Sequence, residues 1–577
     1  MRSGRVTALA VLASGIALGS GAQTPPSEDA RPGQETYEKY CAQCHGENGN
    51  GEGVAAAHLL PKPRDFTAAK YKLRTTPSGQ LPTDADLERV IHQGMPYTSM
   101  PAWTSLSDEE VEGLIQYIKG FSEDFADPGL APEPIELPPA PPWSEESAAR
   151  GKEVYASLGC ARCHGETGRG EGPSAPTLKD DDGRPIRAAD LTQRWTFRGG
   201  PTREDIFRTF STGLNGTPMP SFFDSLDEEG RWALTDYVYS LGDGDDPGYG
   251  TLVIATPLDG EVDASRGDEI FAETPAVRFP IVGQVMEPGR QFSPSATSIQ
   301  VQAVYDERRI AFRVRWDDIQ AETAATNSPT LEVPLSEEEL PESAPPPEGG
   351  KGDFWGEDTD TGSGDDFWGE DTVSEEPSGP DAVANEGGED DFWGEAASAA
   401  PPAAAGVVAE FSDAVAIQLP TRLPEGIAKP YFLFGDPQNP VDVWFLDLAE
   451  DRPRRFEGRG STSLSSTEAS AIEATASWKS GEWSAVFVRD RRASGGVSFS
   501  EGAYVPVAFS VWDGLARERG NRRGLTQWFY VYLTPREQPS VAGPMARAAF
   551  GVLGLELLAV FWIRRRHGDR KPGSSRT

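Results

Sequence analysis

The sequence predicts a multidomain chain in which two all-α units in tandem are followed by an all-β sandwich with a disordered acidic insertion, and then by a C-terminal transmembrane helix. Three observations carry that reading. Cys41, His45, Gly94, Thr98, Met100 and Pro101 recur as Cys160, His164, Gly213, Thr217, Met219 and Pro220 at one constant offset of 119, so the first part of the chain is a duplicated unit. Beyond Gly250 helical periodicity gives way to short alternating strands. Near the end, Ala548 to Ile563 is apolar except for Glu556 and runs into Arg564-Arg565-Arg566-His567.

At 577 residues the chain has room for three or four domains. Its net charge of -38 excludes nucleic-acid binding, which needs clustered Lys and Arg against phosphate. Roughly half of that charge lies between Glu332 and Glu395, so the folded parts are only moderately acidic. Residues 1–22 read as a signal peptide: Met1-Arg2-Ser3-Gly4-Arg5, an apolar run from Val6 to Leu18, then Ser20-Gly21-Ala22 before Gln23. An uncleaved anchor is the competing reading.

The first unit spans 33–125, a Pro-rich linker 126–145, and the second unit 146–242. The β region, 251–535, opens with a hairpin: Ile299, Val301 and Ala303 alternate with polar residues, Asp306-Glu307-Arg308 turns, and Ile310, Phe312, Val314 and Trp316 alternate again. Further strands are expected at 413–419, 431–434, 441–446, 471–478, 483–489, 503–512 and 526–533. The insertion, 325–405, is too polar to offset its chain entropy and is expected to be disordered. It repeats one word around Phe354-Trp355, Phe367-Trp368 and Phe392-Trp393, either as a multivalent docking motif or as drifted low-complexity sequence.

At the C-terminus, the sixteen residues of the apolar run would rise about 24 Å as a helix, short of a ~30 Å hydrocarbon core. A span over 545–563 therefore starts earlier, and the Arg cluster leaves 564–577 in the cytoplasm with the body outside. An amphipathic helix lying on a membrane or a partner is the alternative.

The four cysteines fall as Cys41-Ala-Gln-Cys44-His45 and Cys160-Ala-Arg-Cys163-His164. Two thiols at this separation can add across the two vinyl groups of a haem, and the neighbouring imidazole can bind its iron. Disulfides or zinc are the alternatives, but both motifs end in His and neither has a second Cys pair to complete tetrahedral zinc. The sixth ligand is expected from Met100 and Met219, each 55 residues after its His. Met95 competes with Met100, but its repeat counterpart is Leu214. His58 and His92 have Thr177 and Ser211 as counterparts, which counts against bis-His ligation.

Both units resemble class I cytochrome c domains through the Cys-x-x-Cys-His start, the Thr-x-Met-Pro loop and closing helices that begin near Leu106-Ser107-Asp108 and Leu226-Asp227-Glu228. The resemblance implies two covalent haem c groups with six-coordinate irons, suited to moving single electrons.

The β region is similar to the haem-binding domain of ethylbenzene dehydrogenase type γ subunits. The resemblance rests on Phe279-Pro280-Ile281-Val282-Gly283-Gln284-Val285-Met286, the hairpin ending at Trp316-Asp317-Asp318, Asp413 to Pro420, and Lys429-Pro430-Tyr431-Phe432 with Pro440-Val441-Asp442-Val443-Trp444. It implies a non-covalent haem b held by Met and Lys, fed by a molybdenum enzyme. The five histidines, at 45, 58, 92, 164 and 567, all lie outside the region; Met286 is its one methionine, and Lys429 and Lys479 are its lysines outside the insertion. Lys479 sits in a hairpin turn, so Met286 and Lys429 are the pair expected to hold iron. Lysine binds iron only as the neutral amine, which calls for a closed apolar pocket. A haem-free sandwich for docking or ligand binding is the alternative.

The expected function is electron transfer, more as a subunit than as a catalyst by itself. The protein would be an exported cytochrome, anchored on the periplasmic side of a bacterial inner membrane, connecting a periplasmic oxidoreductase of the dimethyl sulfoxide reductase type with the respiratory chain. A cytochrome that itself oxidises a small inorganic compound is a second class, opposed by the two Met ligands. A scaffold protein is a third.

Overall fold

The computed structural model describes residues 32–335, 408–425, 429–450, 452–468, 472–492, 496–537 and 542–568. The signal-peptide reading, the three aromatic words and the last nine residues fall outside these. The first unit is built on α1 (Gln34–Tyr40), α2 (Ala42–His45), α3 (Asp84–Gln93) and α4 (Asp108–Lys119). The second repeats the plan with α5 (Glu145–Ser157), α6 (Ala161–His164), α7 (Arg203–Thr212) and α8 (Glu228–Ser240).

Helix starts are written locally. Thr83 accepts from the Asp86 N–H while Asp86 reaches back to the Thr83 N–H, and Thr202 and Asp205 repeat this box one offset later. Such a cap is worth about 1 kcal/mol. Tyr37, Leu87, Ile91, Val111, Leu114 and Ile118 form the first core; Tyr155, Ile206, Phe210, Leu234 and Val238 form the second. Burying each aliphatic side chain contributes about 1.5–3 kcal/mol.

The β domain holds β1 (Leu252–Pro257), β2 (Val277–Pro280), β3 (Val282–Gly283), β4 (Ser298–Tyr305), β5 (Arg309–Asp317), β6 (Ala414–Pro420), β7 (Val441–Asp447), β8 (Arg454–Gly458), β9 (Leu464–Thr467), β10 (Ile472–Lys479), β11 (Glu482–Asp490), β12 (Tyr504–Trp512), β13 (Gly524–Leu525) and β14 (Phe529–Leu533). The main ladder runs β10-β11-β5-β4-β1-β14-β12-β6-β7-β8-β9. It is mixed: β1 pairs in parallel with both β4 and β14, and its other named pairings are antiparallel. Phe312 of β5 meets Trp444 of β7 edge-on, ring centroids 6.1 Å apart, although five strands separate them in the ladder. The sheet therefore folds over on itself, and its two layers share one apolar core.

The expected hairpin is β4–β5, with Tyr305 opposite Ile310. Two expectations are corrected. Residues 431–434 form a turn instead of a strand, since the Gly435 N–H bonds to the Tyr431 carbonyl at 2.8 Å and Phe434 has φ 63°. Residues 325–333 belong to the folded domain: buried Asn327 donates to the carbonyls of Ser412 and Glu518, and its backbone N–H donates to the Asp447 carboxylate. That brace links distant segments, which composition does not reveal. The strands outside the expected set are β1, β2, β8 and β9, with the two-residue β3 and β13. Last, α9 (Ala542–Gly568) contains Met545–Arg566, 22 residues long and apolar enough to cross a membrane. At ~1.5 Å per residue it rises about 33 Å, which covers the hydrocarbon core that the shorter run did not.

The three domains touch at named contacts. Arg74 reaches the Thr212 carbonyl and Lys70 pairs with Asp181 between the helical units. His58 stacks on Phe292 of the β domain, centroids 4.1 Å apart. Arg169 pairs with Glu482 and Asp317, and Arg187 with Asp513.

Candidate functional site

In both units the first cysteine caps a single short helix, α2 or α6, that carries the second cysteine and the histidine, so their side chains are held by one turn of backbone. Tyr37 and Tyr155 donate their hydroxyls to the carbonyls of Gly46 and Gly165, both at 2.7 Å, and pin the end of that turn to the preceding long helix. The tyrosines differ in offset by one residue. The second unit absorbs the extra residue at Gly159, φ 70°, with Cys160 bonding back to the Tyr155 carbonyl five residues away, where Cys41 bonds to Tyr37 four away.

The imidazoles are fixed in the same way twice. His45 Nδ1 lies 2.9 Å from the Arg64 carbonyl and His164 Nδ1 3.0 Å from the Ala189 carbonyl. A carbonyl only accepts, so Nδ1 carries the proton and Nε2 keeps its lone pair. Burial lowers both pKa values, holding the rings neutral. Nearby charge differs: the Arg64 guanidinium acts on His45, whereas the Glu171 carboxylate acts on His164.

The four cysteines are free thiols. Burial, with Cys44 alongside, pushes Cys41 up to about 12, and burial pushes Cys160 up to about 11. Cys41 and Cys160 are therefore protonated at neutral pH, unlike the activated thiolates of redox CxxC sites. Two thiols and one neutral imidazole with its Nε2 free make a donor set that fits covalent haem.

The two Met loops are built alike. After α3, Met95 N–H bonds to the Met100 carbonyl, and Thr98 Oγ1 donates to the Met95 carbonyl at 2.9 Å while accepting the Met100 N–H at 3.1 Å. After α7, Leu214, Thr217 and Met219 repeat this, with 2.8 and 3.3 Å for the two Thr bonds. Gly94 and Gly213 share φ 65°, and a Cβ on either would stand 2.6 Å from the backbone after the Met-Pro pair. Only glycine lets the helix end meet the returning loop so closely. Met100 and Met219 are both half-buried, and Met219 packs on the second core.

The β-domain pair sits differently. Met286 is 65% exposed and Lys429 is exposed, its Nζ 4.5 Å from the Tyr530 ring centroid. Their loops meet, since Tyr431 donates to the Glu287 carboxylate at 3.3 Å. Lys479 lies at the exposed end of the β10–β11 hairpin. Sequence reasoning did not find the interdomain arginines or the buried carboxylates Asp318, Glu322, Asp413 and Asp513. Asp318 and Asp413 border strand patterns, but nothing local links them to Glu322 and Asp513.

Residues 28–118 and 146–238 both match the family described as cytochrome C oxidase, cbb3-type, subunit III. The chain is similar to a Haloferax mediterranei protein named as a respiratory nitrate reductase heme subunit, 28% identical over 164 residues, which are 28% of this chain and 58% of that protein. It is also similar to the cbb3-type cytochrome c oxidase subunit FixP of Azorhizobium caulinodans, 27% identical over 219 residues, 37% of this chain and 59% of that one. The chain thus spans about three fifths of the length of these curated relatives. A chain of the Kuenenia stuttgartiensis reducing HAO-like protein complex Kustc0457/Kustc0458 is 45% identical, with 38% of this chain and 99% of that chain covered and a TM-score of 0.36. Residues 28–118 and 146–238 are thus two cytochrome c domains, each with its CxxC pair.

Proposed function

We propose that this cytochrome is a membrane-anchored dihaem relay, exported to the periplasmic side, that carries electrons between a periplasmic oxidoreductase and the respiratory chain. Cys41, Cys44 and Cys160, Cys163 would hold the two haem c groups through thioethers, with His45 and Met100 on one iron and His164 and Met219 on the other. The observation that carries the reading is the twice-built donor set, whose imidazoles keep Nε2 free by binding Nδ1 to a backbone carbonyl. When bound, haem with His and Met ligands supplies one-electron chemistry at a raised potential. The chain's own residues orient the imidazoles through the Arg64 and Ala189 carbonyls and hold the two domains against each other through Arg74 and Asn215.

A molybdenum enzyme of the dimethyl sulfoxide reductase type is the proposed partner, supported by the β-domain resemblance and by the relative named as a nitrate reductase heme subunit. Met286 and Lys429 as a third, haem b site is the second reading, favoured by the meeting of their loops through Glu287 and Tyr431. As placed, these two side chains offer donors without the enclosure that a neutral lysine requires, so the relay is proposed on the two covalent haems.

The test is a pyridine haemochrome spectrum of the purified chain before and after acid-acetone extraction. Two covalent haems per chain are expected; fewer would overturn the relay. An extractable third haem that vanishes in Lys429→Ala would establish the Met286–Lys429 centre, and no extractable haem would leave the β domain as a docking module.

A further inference from the structure

At one end of the β sandwich, four carboxylates from separate stretches of chain converge. Asp318 follows β5, Glu322 lies on the loop beyond it, Asp413 precedes β6 and Asp513 follows β12. Strand pairing brings two of them together, because Trp512 is opposite Ala414. Glu322 is fastened to Asp413 by two backbone links: its N–H donates to Asp413 Oδ2 at 2.8 Å, and its carbonyl accepts the Asp413 N–H at 2.9 Å. One oxygen from each of the four lies within 4.8 Å of the others. Asp318, Glu322, Asp413 and Asp513 are 2, 4, 0 and 4% exposed.

Part of this group is satisfied by the protein. Asp413 also accepts from the Gly514 N–H and the Trp483 indole, and Asp513 from the Ala516 N–H and Arg187. Asp318 accepts one long bond, 3.4 Å, from the Gln320 N–H. Both oxygens of Glu322, in contrast, are buried with no hydrogen-bond partner. Four carboxyls this close and this buried are costly when ionised, because Arg187 offsets only one negative charge; without a cation the cluster is relieved by Glu322 keeping a proton that it can share with Asp413.

We propose that Asp318, Glu322, Asp413 and Asp513 form a binding site for one calcium-type divalent cation, seated where the β domain meets the second cytochrome domain. All four donors are hard oxygens, with no nitrogen or sulfur among them. Oxygens within 4.8 Å of one another fit around an ion with metal–oxygen distances of about 2.4 Å, whereas magnesium demands about 2.1 Å and keeps its waters. Burial, reinforced by mutual repulsion, raises the Asp318 and Glu322 carboxyls well above their usual range, so cation uptake would displace protons. Arg187 comes from the second cytochrome domain and also donates to the Ser295 carbonyl at 3.2 Å. The cation would thus brace the strand ends on which that domain rests.

The experiment uses the full chain with its haems, dialysed against a calcium chelator and then titrated with CaCl2 alone or MgCl2 alone, reading bound metal by elemental analysis and unfolding by calorimetry. Calcium is expected to raise the unfolding temperature at one tight site per chain, and Glu322→Gln to weaken that site by about tenfold or more. No calcium response in the wild type would overturn the proposal, because that comparison needs no variant to fold. A tight-site response that persists unchanged in Glu322→Gln would also overturn it by locating the ion elsewhere. An equal response to magnesium would overturn the calcium assignment.

Discussion

Arg74 donates from Nη2 to the carbonyl of Thr212, the last residue of α7, at 2.7 Å, so the first cytochrome domain holds the helix end that launches the Met loop of the second. Its other partners are the carbonyls of Tyr71, Lys72, Pro77 and Gly213, and its side chain is 1% exposed. Arg74→Met leaves these acceptors unsatisfied and is expected to cost about 2–4 kcal/mol. Both covalent haems should persist while electron exchange between them slows. Stopped-flow reduction beside a melting curve checks this; unchanged exchange with lowered stability would reduce Arg74 to a structural role.

Met100→His and Met219→His are each expected to lower the potential of one haem and leave the other unmoved, since imidazole does not favour Fe(II) as a thioether does. A redox titration that resolves two centres reads this directly. Met95→Leu should change neither potential.

Thr217 Oγ1 bridges the Leu214 carbonyl and the Met219 N–H. Thr217→Val removes both bonds and should loosen the loop by about 1–2 kcal/mol. The expected signature is earlier loss of Met ligation from the second haem on heating, with Thr98→Val doing the same to the first.

Asp306 closes the β4–β5 hairpin and accepts the backbone N–H groups of Val262, Arg308 and Arg309 at 2.6–2.7 Å. Burial alone would raise its carboxyl, but these bonds and the Arg309 charge outweigh it and hold the pKa below its usual value. The stabilisation is therefore full above the unfolded pKa of about 3.9 and lost as pH falls through the lower folded value. Asp306→Asn should destabilise the β domain by about 2 kcal/mol at pH 7. The gap to wild type should close in acid, and a gap independent of pH would show that the charge is not what matters.

Deleting residues 545–577 should release the chain from membranes, read by fractionation with and without alkaline washing.

Much of the site was legible in the sequence because its determinants are local or repeated. Cys-x-x-Cys-His fits on one helical turn, and the offset of 119 selected Met100 over Met95 by setting it against Leu214. The β4–β5 hairpin was legible for the same reason, its alternation and turn being contiguous. What escaped was set by distance along the chain. The parallel seat of β1 beside β14 sets Leu252 against Tyr530, far along the chain, and Asn327 looks like ordinary loop polarity until Ser412 and Glu518 surround it. Lys429-Pro430-Tyr431-Phe432 has strand-like residues, yet the tight Tyr431–Gly435 turn overrides that propensity.

The duplicated imidazole contacts leave one asymmetry. Haems on these two sites would share the same proximal bond and Met loop, so the charge beside each imidazole becomes one source of a difference in potential. Arg64 sits by His45 and Glu171 by His164. A positive neighbour favours the reduced iron and a negative one the oxidised iron. The pair would therefore hold electrons unequally: an electron entering through the second domain runs downhill to rest on the first, and Arg64→Ala would flatten that slope.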